Sequence, residues 1–455
     1  MKKLLSAVLA AAMVISLAAC SKSSVDESSA ADSAVSDGAD AGTNGSDNSE
    51  EAVGGWLTNP VKFNDEGDID MDAALSYETD FDAFKASMAA KEVNLDQPVS
   101  ENARKNENTM EVFNYLKSVY GKQIISCQQQ MDVNKVYEDK VYYLATEDLP
   151  AMRGFDFIFC TGSYEDTSMV NAAIEWGTEN GGLVTFTWHW NVPRDVDDRS
   201  QGYAFYQDEI INWDPLNATT PGTKEYEVVV HDIDKIANYL QQLEKAGVTV
   251  LFRPFHEASG AWFWWGLQPG DKQLLKDGTY PETFQRLWYM MYDRLENYHK
   301  LSNLIWVWNG QSKYTTVDPN TYDIAGIDYY ADSLDHSPLT NKYEELKSYT
   351  YEGKMLALSE AGYIPDPDQC TEEGVTWLYY MIWNGDFIYK AAGGTALTDI
   401  DGTPSANTDR ITEELLKQYF SSDNLITWNK LPQFRSGEHK LPEAINTWNY
   451  FRTQS

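Results

Sequence analysis

The sequence predicts an α/β fold: a (β/α)8 TIM barrel preceded by a signal peptide and a disordered acidic linker. Three observations predict it. Eight short apolar runs recur from residue 123 onward, with helical periodicity between several of them. That alternation marks parallel strands joined by crossover helices. Six of the runs end in polar and aromatic residues, at the end of a barrel strand where chemistry gathers. The 455 residues easily accommodate the roughly 250 that such a barrel needs. A doubly wound sheet is the competing arrangement, but no Gly-rich phosphate loop follows the first run.

In chain order, Met1-Lys2-Lys3 and the apolar stretch Leu4 to Ala19 read as a signal peptide over residues 1–19, too short and Ala-rich for a transmembrane span. It closes Leu17-Ala18-Ala19-Cys20, which resembles a bacterial lipobox, so Cys20 is the expected lipidation site and mature N-terminus. Residues 20–54 are nearly all Ser, Ala, Asp, Gly, Asn and Glu. They lack the apolar bulk to offset ordering entropy and read as a disordered, self-repelling spacer. The expected location is the extracellular face of the bacterial cell membrane, lipid-anchored through Cys20, or the medium. Residues 55–105 read as an extension packing on the barrel, with Trp56, Leu57 and Phe63 able to pack and a short helix over Phe81 to Lys91. Residues 106–455 form the barrel. A helix over Asn108 to Tyr120 leads into strands at Gln123–Cys127, Phe155–Cys160, Leu183–Trp188, Val248–Phe255, Leu304–Trp308, Ile324–Tyr330, Met355–Leu358 and Leu378–Trp383. Asp232 to Ala246 and Pro281 to Leu301 are helical patterns between them.

Composition narrows the partner. The formal net charge is −35, of which residues 20–54 contribute eight acids against one lysine. Such a field repels nucleic acid and anionic membrane surfaces, so membrane contact is expected through the lipid anchor only. With 15 Trp and 28 Tyr, the chain suits a neutral ligand bound by ring stacking. The four cysteines are scattered, with no C-x-x-C pair. A Cys127–Cys160 bridge is possible, and buried free thiols are the favoured reading. No cofactor or metal is expected, and the chain is read as a monomer. His256-Glu257 opens like a zinc-protease helix, but Gly260 stands where the second His is needed. Ser359 lacks the flanking glycines of a nucleophile elbow.

Glu257 is the most informative residue. It follows the fourth strand and precedes Trp262, Trp264 and Trp265. Burial beside rings raises a carboxyl pKa and suits a general acid. Glu360 ends the seventh strand, across the mouth of a barrel. Glycoside hydrolysis uses two carboxyl groups, one as acid/base and the other as nucleophile or water activator. Asp328 at the sixth strand end is a third carboxylate, read as a hydrogen-bonding neighbour. Further polar and aromatic ends are Trp188-His189-Trp190-Asn191, Trp306-Val307-Trp308-Asn309 and Ile382-Trp383-Asn384.

Arg253-Pro254-Phe255-His256-Glu257 with Gly260-x-Trp262-Phe263-Trp264-Trp265-Gly266, and Leu358-Ser359-Glu360-Ala361-Gly362, resemble glycoside hydrolase family twenty-six, the clan-A β-mannanases. His256, where the clan usually has Asn before the acid/base, makes the resemblance specific. It extends from about Asn108 to Gln433. It implies a retaining double displacement with Glu257 as acid/base and Glu360 as nucleophile. His189 and His256 would line the cleft, Trp262 stack near the acid/base, and Trp383 lie under the reacting sugar. Tyr330, rather than Tyr329, would hydrogen-bond the nucleophile, Arg253 would orient carboxylates, and Trp190 and Trp265 are further candidate substrate-binding residues. The implied activity is endo-β-1,4-mannanase on mannan, glucomannan, galactomannan and their oligosaccharides. Alternatives are the same mechanism on mixed-linkage β-glucan or β-xylan, and a non-catalytic oligosaccharide-binding lipoprotein. Two departures stand out: Asn384 follows Trp383 where the family often has Arg, and the segment Glu209 to Lys224 looks like a lengthened loop.

Overall fold

The computed structural model describes residues 58–268, 271, 281–390, 402–435 and 437–454. The expected signal peptide, Cys20 and the acidic linker lie outside the described residues, as do Trp56 and Leu57. Eight strands form the barrel: β1 Ile124–Gln129, β2 Met152–Asp156, β3 Leu183–Thr187, β4 Val250–Arg253, β5 Leu304–Trp308, β6 Ile324–Tyr329, β7 Met355–Ala361 and β8 Tyr379–Ile382. Each pairs in parallel with the next, and β8 pairs in parallel with β1, which closes the ring. A two-residue strand, β9 (Leu425–Ile426), also pairs with β1. Strands buried on both faces carry continuous apolar runs. In β5, Leu-Ile-Trp-Val-Trp is buried at every position.

Helices precede, connect and follow the barrel strands: α1 Phe81–Ala89, α2 Glu107–Val119, α3 Tyr137–Thr146, α4 Ser168–Thr178, α5 Lys224–Lys245, α6 Thr283–Asp293, α7 Thr340–Tyr349, α8 Pro367–Glu373, α9 Glu413–Ser421 and α10 Glu443–Gln454. The β5–β6 connection has two 3₁₀ turns, Lys313–Thr315 and Pro319–Thr321, in place of a helix. The longest helix shows the local logic. Thr223 caps α5 by accepting from Tyr226 N, and Glu225 and Glu227 favour its positive end. Its buried stripe Tyr226, Val229, Val230, Ile233, Ile236, Leu240 and Leu243 follows the 3.6-residue period. Each such side chain contributes about 1.5–3 kcal/mol by leaving water.

The second strand lies earlier than its apolar run suggests, at Met152–Asp156 rather than Phe155–Cys160. Arg153 and Gly154 disguise it. Arg153 is buried because Asp139 pairs with it and the Trp176 ring lies 3.9 Å away. Gly154 has no room for a side chain, since a Cβ there would meet Gln129 Oε1 at 2.2 Å and Met381 Sδ at 2.5 Å.

Strand β7 carries one residue more than either neighbour. Against β6, Leu358 faces Ile327 while Glu360 faces Asp328. Against β8, Leu358 faces Tyr380 while Ala361 faces Ile382. The extra residue makes a bulge at Ser359-Glu360, and bulges re-aim side chains next to active sites.

The segment before α2 packs on the barrel through polar contacts. Tyr77 and Thr79 hydroxyls donate to Asp293 Oδ2 at 3.0 and 2.8 Å, and Ser100 Oγ donates to Glu296 Oε2 at 2.5 Å. Phe63, expected to pack, is 47% exposed. Cys127, Cys160 and Cys370 are buried free thiols.

Candidate active site

After β4 the chain turns sharply. Phe255 and Glu257 both have left-handed backbone, at φ 54 and 53. For residues with a Cβ this costs roughly 1–2 kcal/mol each. At Glu257 a built-in hydrogen bond offsets that cost: its N–H donates to Asn309 Oδ1, beyond the end of β5, at 3.0 Å. The turn swings the Glu257 carboxylate into the mouth, where Oε2 accepts from Trp262 Nε1 at 2.8 Å.

The β7 bulge brings Glu360 to the same space. Arg253 Nη2 donates to its Oε1 at 2.5 Å, and the Tyr330 hydroxyl donates to its Oε2 at 2.6 Å. Arg253 Nη1 reaches Asp328 Oδ2 at 3.0 Å. One carboxylate oxygen from each of Glu257, Asp328 and Glu360 lies within 4.8 Å of the others. Those oxygens are close enough to chelate a cation, and Arg253 supplies a cationic partner to Asp328 and Glu360.

The two glutamates sit in unequal fields. Burial pushes Glu257 well above its ordinary value, and the charges of Asp328 and Glu360 add to this. The Trp262 hydrogen bond and the Arg253 charge oppose them. Glu360 is raised by burial and by Asp328 to about 7, against the direct pull of Arg253 and Tyr330. A cation and a phenol donor hold Glu360, whereas Glu257 has an indole donor. Paired carboxyls whose environments separate their affinities for a proton divide into acid and anion.

Behind Glu257 lies a buried histidine pair. Asp156 Oδ2 holds His189 Nδ1 at 2.5 Å, and Asp156 Oδ1 accepts the His189 main-chain N–H at 3.0 Å. His189 Nε2 lies 3.2 Å from His256 Nε2, and His256 Nδ1 lies 3.1 Å from Thr187 Oγ1. Burial, with His189 and Arg253 nearby, pushes His256 well below its ordinary value, so its ring is neutral. The aromatic wall follows. Trp262 is 37% exposed, and Trp383, 5.8 Å from His189 by ring centres, keeps 6%.

Two of the candidate substrate-binding residues, Trp190 and Trp265, are held in the interior. They are 1% and 0% exposed and present no face to a sugar. Trp190 stacks on Trp188 at 3.9 Å and donates from Nε1 to Asp232 Oδ2 at 2.8 Å. Trp265 stacks on Phe263 at 4.5 Å and donates from Nε1 to the His256 carbonyl at 2.9 Å, bracing the turn that carries His256. Glu257, Glu360, His189, His256, Arg253, Tyr330, Trp262 and Trp383 do converge. Tyr330, not Tyr329, reaches Glu360.

Three further residues belong to the site without a role assigned from the sequence. Asp156 was hidden by the displaced second strand. Asn309 ended a flagged strand without an assigned partner. Tyr206, on the long β3–α5 connection, stacks on Phe263 at 5.5 Å. Burial and the charges of Glu257 and its neighbours raise its phenol. That connection is sewn to the tryptophan segment: Gln207 N donates to the Trp262 carbonyl at 2.7 Å and Trp264 N to the Phe205 carbonyl at 3.1 Å.

Residues 99–396 match the family model described as Glycosyl hydrolase family 26. The chain is 34% identical over 368 residues to mannan endo-1,4-β-mannosidase A of Piromyces sp., covering 78% of this chain and 54% of that protein. To the B enzyme of the same organism it is 33% identical over 374 residues, covering 79% and 59%. The chain thus spans between half and two thirds of these relatives. Among solved structures, the GH26-CBM35 β-(1,4)-mannanase of Podospora anserina superposes with a TM-score of 0.62 at 30% identity, over 76% of this chain and 71% of that one. A β-mannanase from a symbiotic protist of the termite Reticulitermes speratus, complexed with gluco-manno-oligosaccharide, gives 0.61 at 26% identity, over 75% and 100%. With the barrel, its paired glutamates and a family match over more than half of its length, the chain belongs to glycosyl hydrolase family 26.

Proposed function

We propose that the protein is an endo-β-1,4-mannanase that cleaves mannan, glucomannan or galactomannan with retention of anomeric configuration. One observation carries the reading: two glutamates in unequal environments bring carboxylate oxygens within 4.8 Å of each other. Carboxyl groups about 5–5.5 Å apart leave room for direct attack on the sugar, whereas inversion needs roughly 6.5–9.5 Å to admit a water.

In this mechanism Glu360, ionised between Arg253 and Tyr330, attacks the anomeric carbon. Glu257, kept protonated by its surroundings, gives its proton to the departing glycosidic oxygen. The bond to the leaving sugar breaks as the ester to Glu360 forms. Glu257, now a carboxylate, then takes a proton from water while the water oxygen attacks the same carbon and frees Glu360. Trp262 offers a ring face beside Glu257, and Trp383 with His189 bounds the reacting sugar. His256, neutral and tied to His189, adds no charge that would lower the proton affinity of Glu257. The mannanase relatives and the gluco-manno-oligosaccharide complex support a β-mannan substrate.

The test is a panel of soluble β-mannans, mixed-linkage β-glucan and β-xylan, with reducing-sugar release and the first-formed anomer followed by NMR. Release from β-mannans with the β-anomer appearing first is expected. Release from glucan or xylan alone would overturn the substrate, and first appearance of the α-anomer would overturn the mechanism. Glu360→Ala should lose turnover, and azide should partly restore it with inverted configuration. We also propose that Cys20 carries the lipid that tethers the enzyme outside the cell. A Cys20→Ser chain should leave the membrane fraction, and unchanged partitioning would refute the anchor.

A further inference from the structure

Asn309 occupies a position that the proposed chemistry does not name. Its amide is fully buried and has four hydrogen bonds. Oδ1 accepts the Glu257 main-chain N–H at 3.0 Å and Gln311 Nε2 at 3.0 Å. Nδ2 donates to Asp328 Oδ1 at 2.7 Å and to Ser359 Oγ at 2.5 Å. Ser359 Oγ donates in turn to Asp328 Oδ1 at 2.7 Å. The orientation of this amide is forced, because a main-chain N–H can only donate and a carboxylate can only accept.

The two ends of this network are the two irregular pieces of backbone at the site. One is the left-handed Glu257, whose conformation is costly without a partner for its N–H. The other is the β7 bulge, whose extra residue precedes Glu360. In a regular strand Ser359 and Glu360 would face opposite sides of the sheet. Here Ser359 bonds Asn309 and Asp328 while Glu360 bonds Arg253 and Tyr330, and Arg253 also bonds Asp328, so both side chains reach one polar cluster. Gly326 of β6 gives independent support. A Cβ there would meet Ser359 Oγ at 2.3 Å and Asn309 Nδ2 at 3.2 Å, so β6 leaves open the space that the network fills.

We infer that Asn309, acting with Ser359 in the space left by Gly326, is a positioning residue that sets the acid/base and the nucleophile in one register. The inference rests on Glu257 and Glu360 having the roles proposed above. Asn309 meets Glu257 directly through the main chain, and meets Glu360 one residue removed through Ser359. Its loss therefore affects the acid more than the nucleophile.

The experiment measures kcat and KM on a series of aryl β-manno-oligosaccharides with leaving groups from good to poor, for the full-length enzyme and its variants. A displacement of about 1 Å at a reacting group costs on the order of a hundredfold in rate. Asn309→Ala should lower kcat by about a hundredfold on the poorest leaving group and by about tenfold on the best, with KM within threefold of wild type. Ser359→Ala, which adjoins Glu360 and leaves the Asn309 bond to the Glu257 main chain in place, should lower kcat by about tenfold whatever the leaving group. Gly326→Ala should reproduce the Asn309→Ala pattern by crowding rather than deletion. Counting active sites by trapping the glycosyl-enzyme with a 2-fluoro glycoside corrects each kcat for misfolded protein. If Asn309→Ala does not fold, Gly326→Ala carries the same test, and a Gly326→Ala loss that ignores the leaving group overturns the role. Corrected kcat within threefold of wild type in Asn309→Ala, or a loss confined to KM, overturns the positioning role. So does a loss in Asn309→Ala that ignores the leaving group. Glu257→Ala and Glu360→Ala run alongside: full turnover in Glu360→Ala sinks the parent reading, whereas inactive glutamate variants beside an unaffected Asn309→Ala sink only the positioning clamp formed by Asn309 and Ser359.

Discussion

Replacing Trp262 by Phe separates the two glutamates by their titration. Trp262 Nε1 donates to Glu257 Oε2 at 2.8 Å, and that bond opposes the rise in Glu257's pKa. Phe keeps most of the ring surface and deletes the donor. A hydrogen bond to a charged group contributes about 1.5–3 kcal/mol, which corresponds to roughly one to two pKa units. Trp262 is 37% exposed, so water replaces part of what is lost and about half to one unit remains. The sign is fixed. Losing a partner of the charged form raises the pKa, so Glu257 stays protonated to higher pH. If Glu257 is the acid, the alkaline limb of kcat/KM moves up by about half to one pH unit. The acid limb reports Glu360 losing its charge while Glu257 is already protonated, so it stays in place. The assay is kcat/KM against pH on an aryl β-mannobioside, for wild type and Trp262→Phe. A shift of the acid limb with the alkaline limb fixed would reverse the two roles. No shift in either limb would mean that the indole does not touch the working acid.

Tyr330→Phe is the mirror experiment: the phenol donates to Glu360 at 2.6 Å and lowers its pKa. Its removal should move the acid limb upward and leave the alkaline limb in place, and a downward shift would refute the nucleophile assignment. Glu138 makes a prediction about stability. It is buried, its Oε1 accepts Gly385 N at 3.1 Å, and burial above all raises it from 4.5 to about 8. A raised carboxyl favours folding below its unfolded pKa, and that stability is lost as pH climbs through about 8. Glu138→Gln should therefore be near neutral at pH 4 and stabilising by several kcal/mol at pH 9. Equal urea midpoint shifts at both pH values would refute it.

The barrel was legible because its signal is redundant. Eight apolar runs must fill one closed core, and β5 matched its run from Leu304 to Trp308. Misplacement came where a core position holds a residue that only tertiary structure explains. Arg153 belongs in β2 because Asp139 and Trp176 surround it, and those partners are 14 and 23 residues away along the chain. The displaced bounds hide Asp156, since a residue at the start of a strand is not sought at its end. The tryptophans differ from one another for a related reason. Three of them, Trp190, Trp262 and Trp265, read alike as candidate substrate-binding rings, but which face is free depends on packing from other elements. Trp265 lies under Phe263 and Trp190 against Trp188 and Asp232, which leaves Trp262 at the surface of the cleft.

The geometry that makes the pair a pair lies in backbone irregularities that periodicity does not report. A period of two places Ser359 and Glu360 on opposite faces. A standard turn after β4 would not place Glu257 at positive φ, where a glycine is the expected residue. Both departures carry a cost, and both are held by the same short polar residues, Asn309, Ser359 and Asp328, with Gly326 beneath. In the sequence these four stand as three strand-end polar residues and one strand glycine. A glycine inside a strand is the legible trace, because it marks a close approach by something else. Gly326-x-Asp328-x-Tyr330 thus encodes three features of the mouth at alternate positions: space for the network, its carboxylate acceptor, and the phenol that holds Glu360. Reading Gly326 as space, rather than as a weak strand residue, leads from the sequence to the clamp.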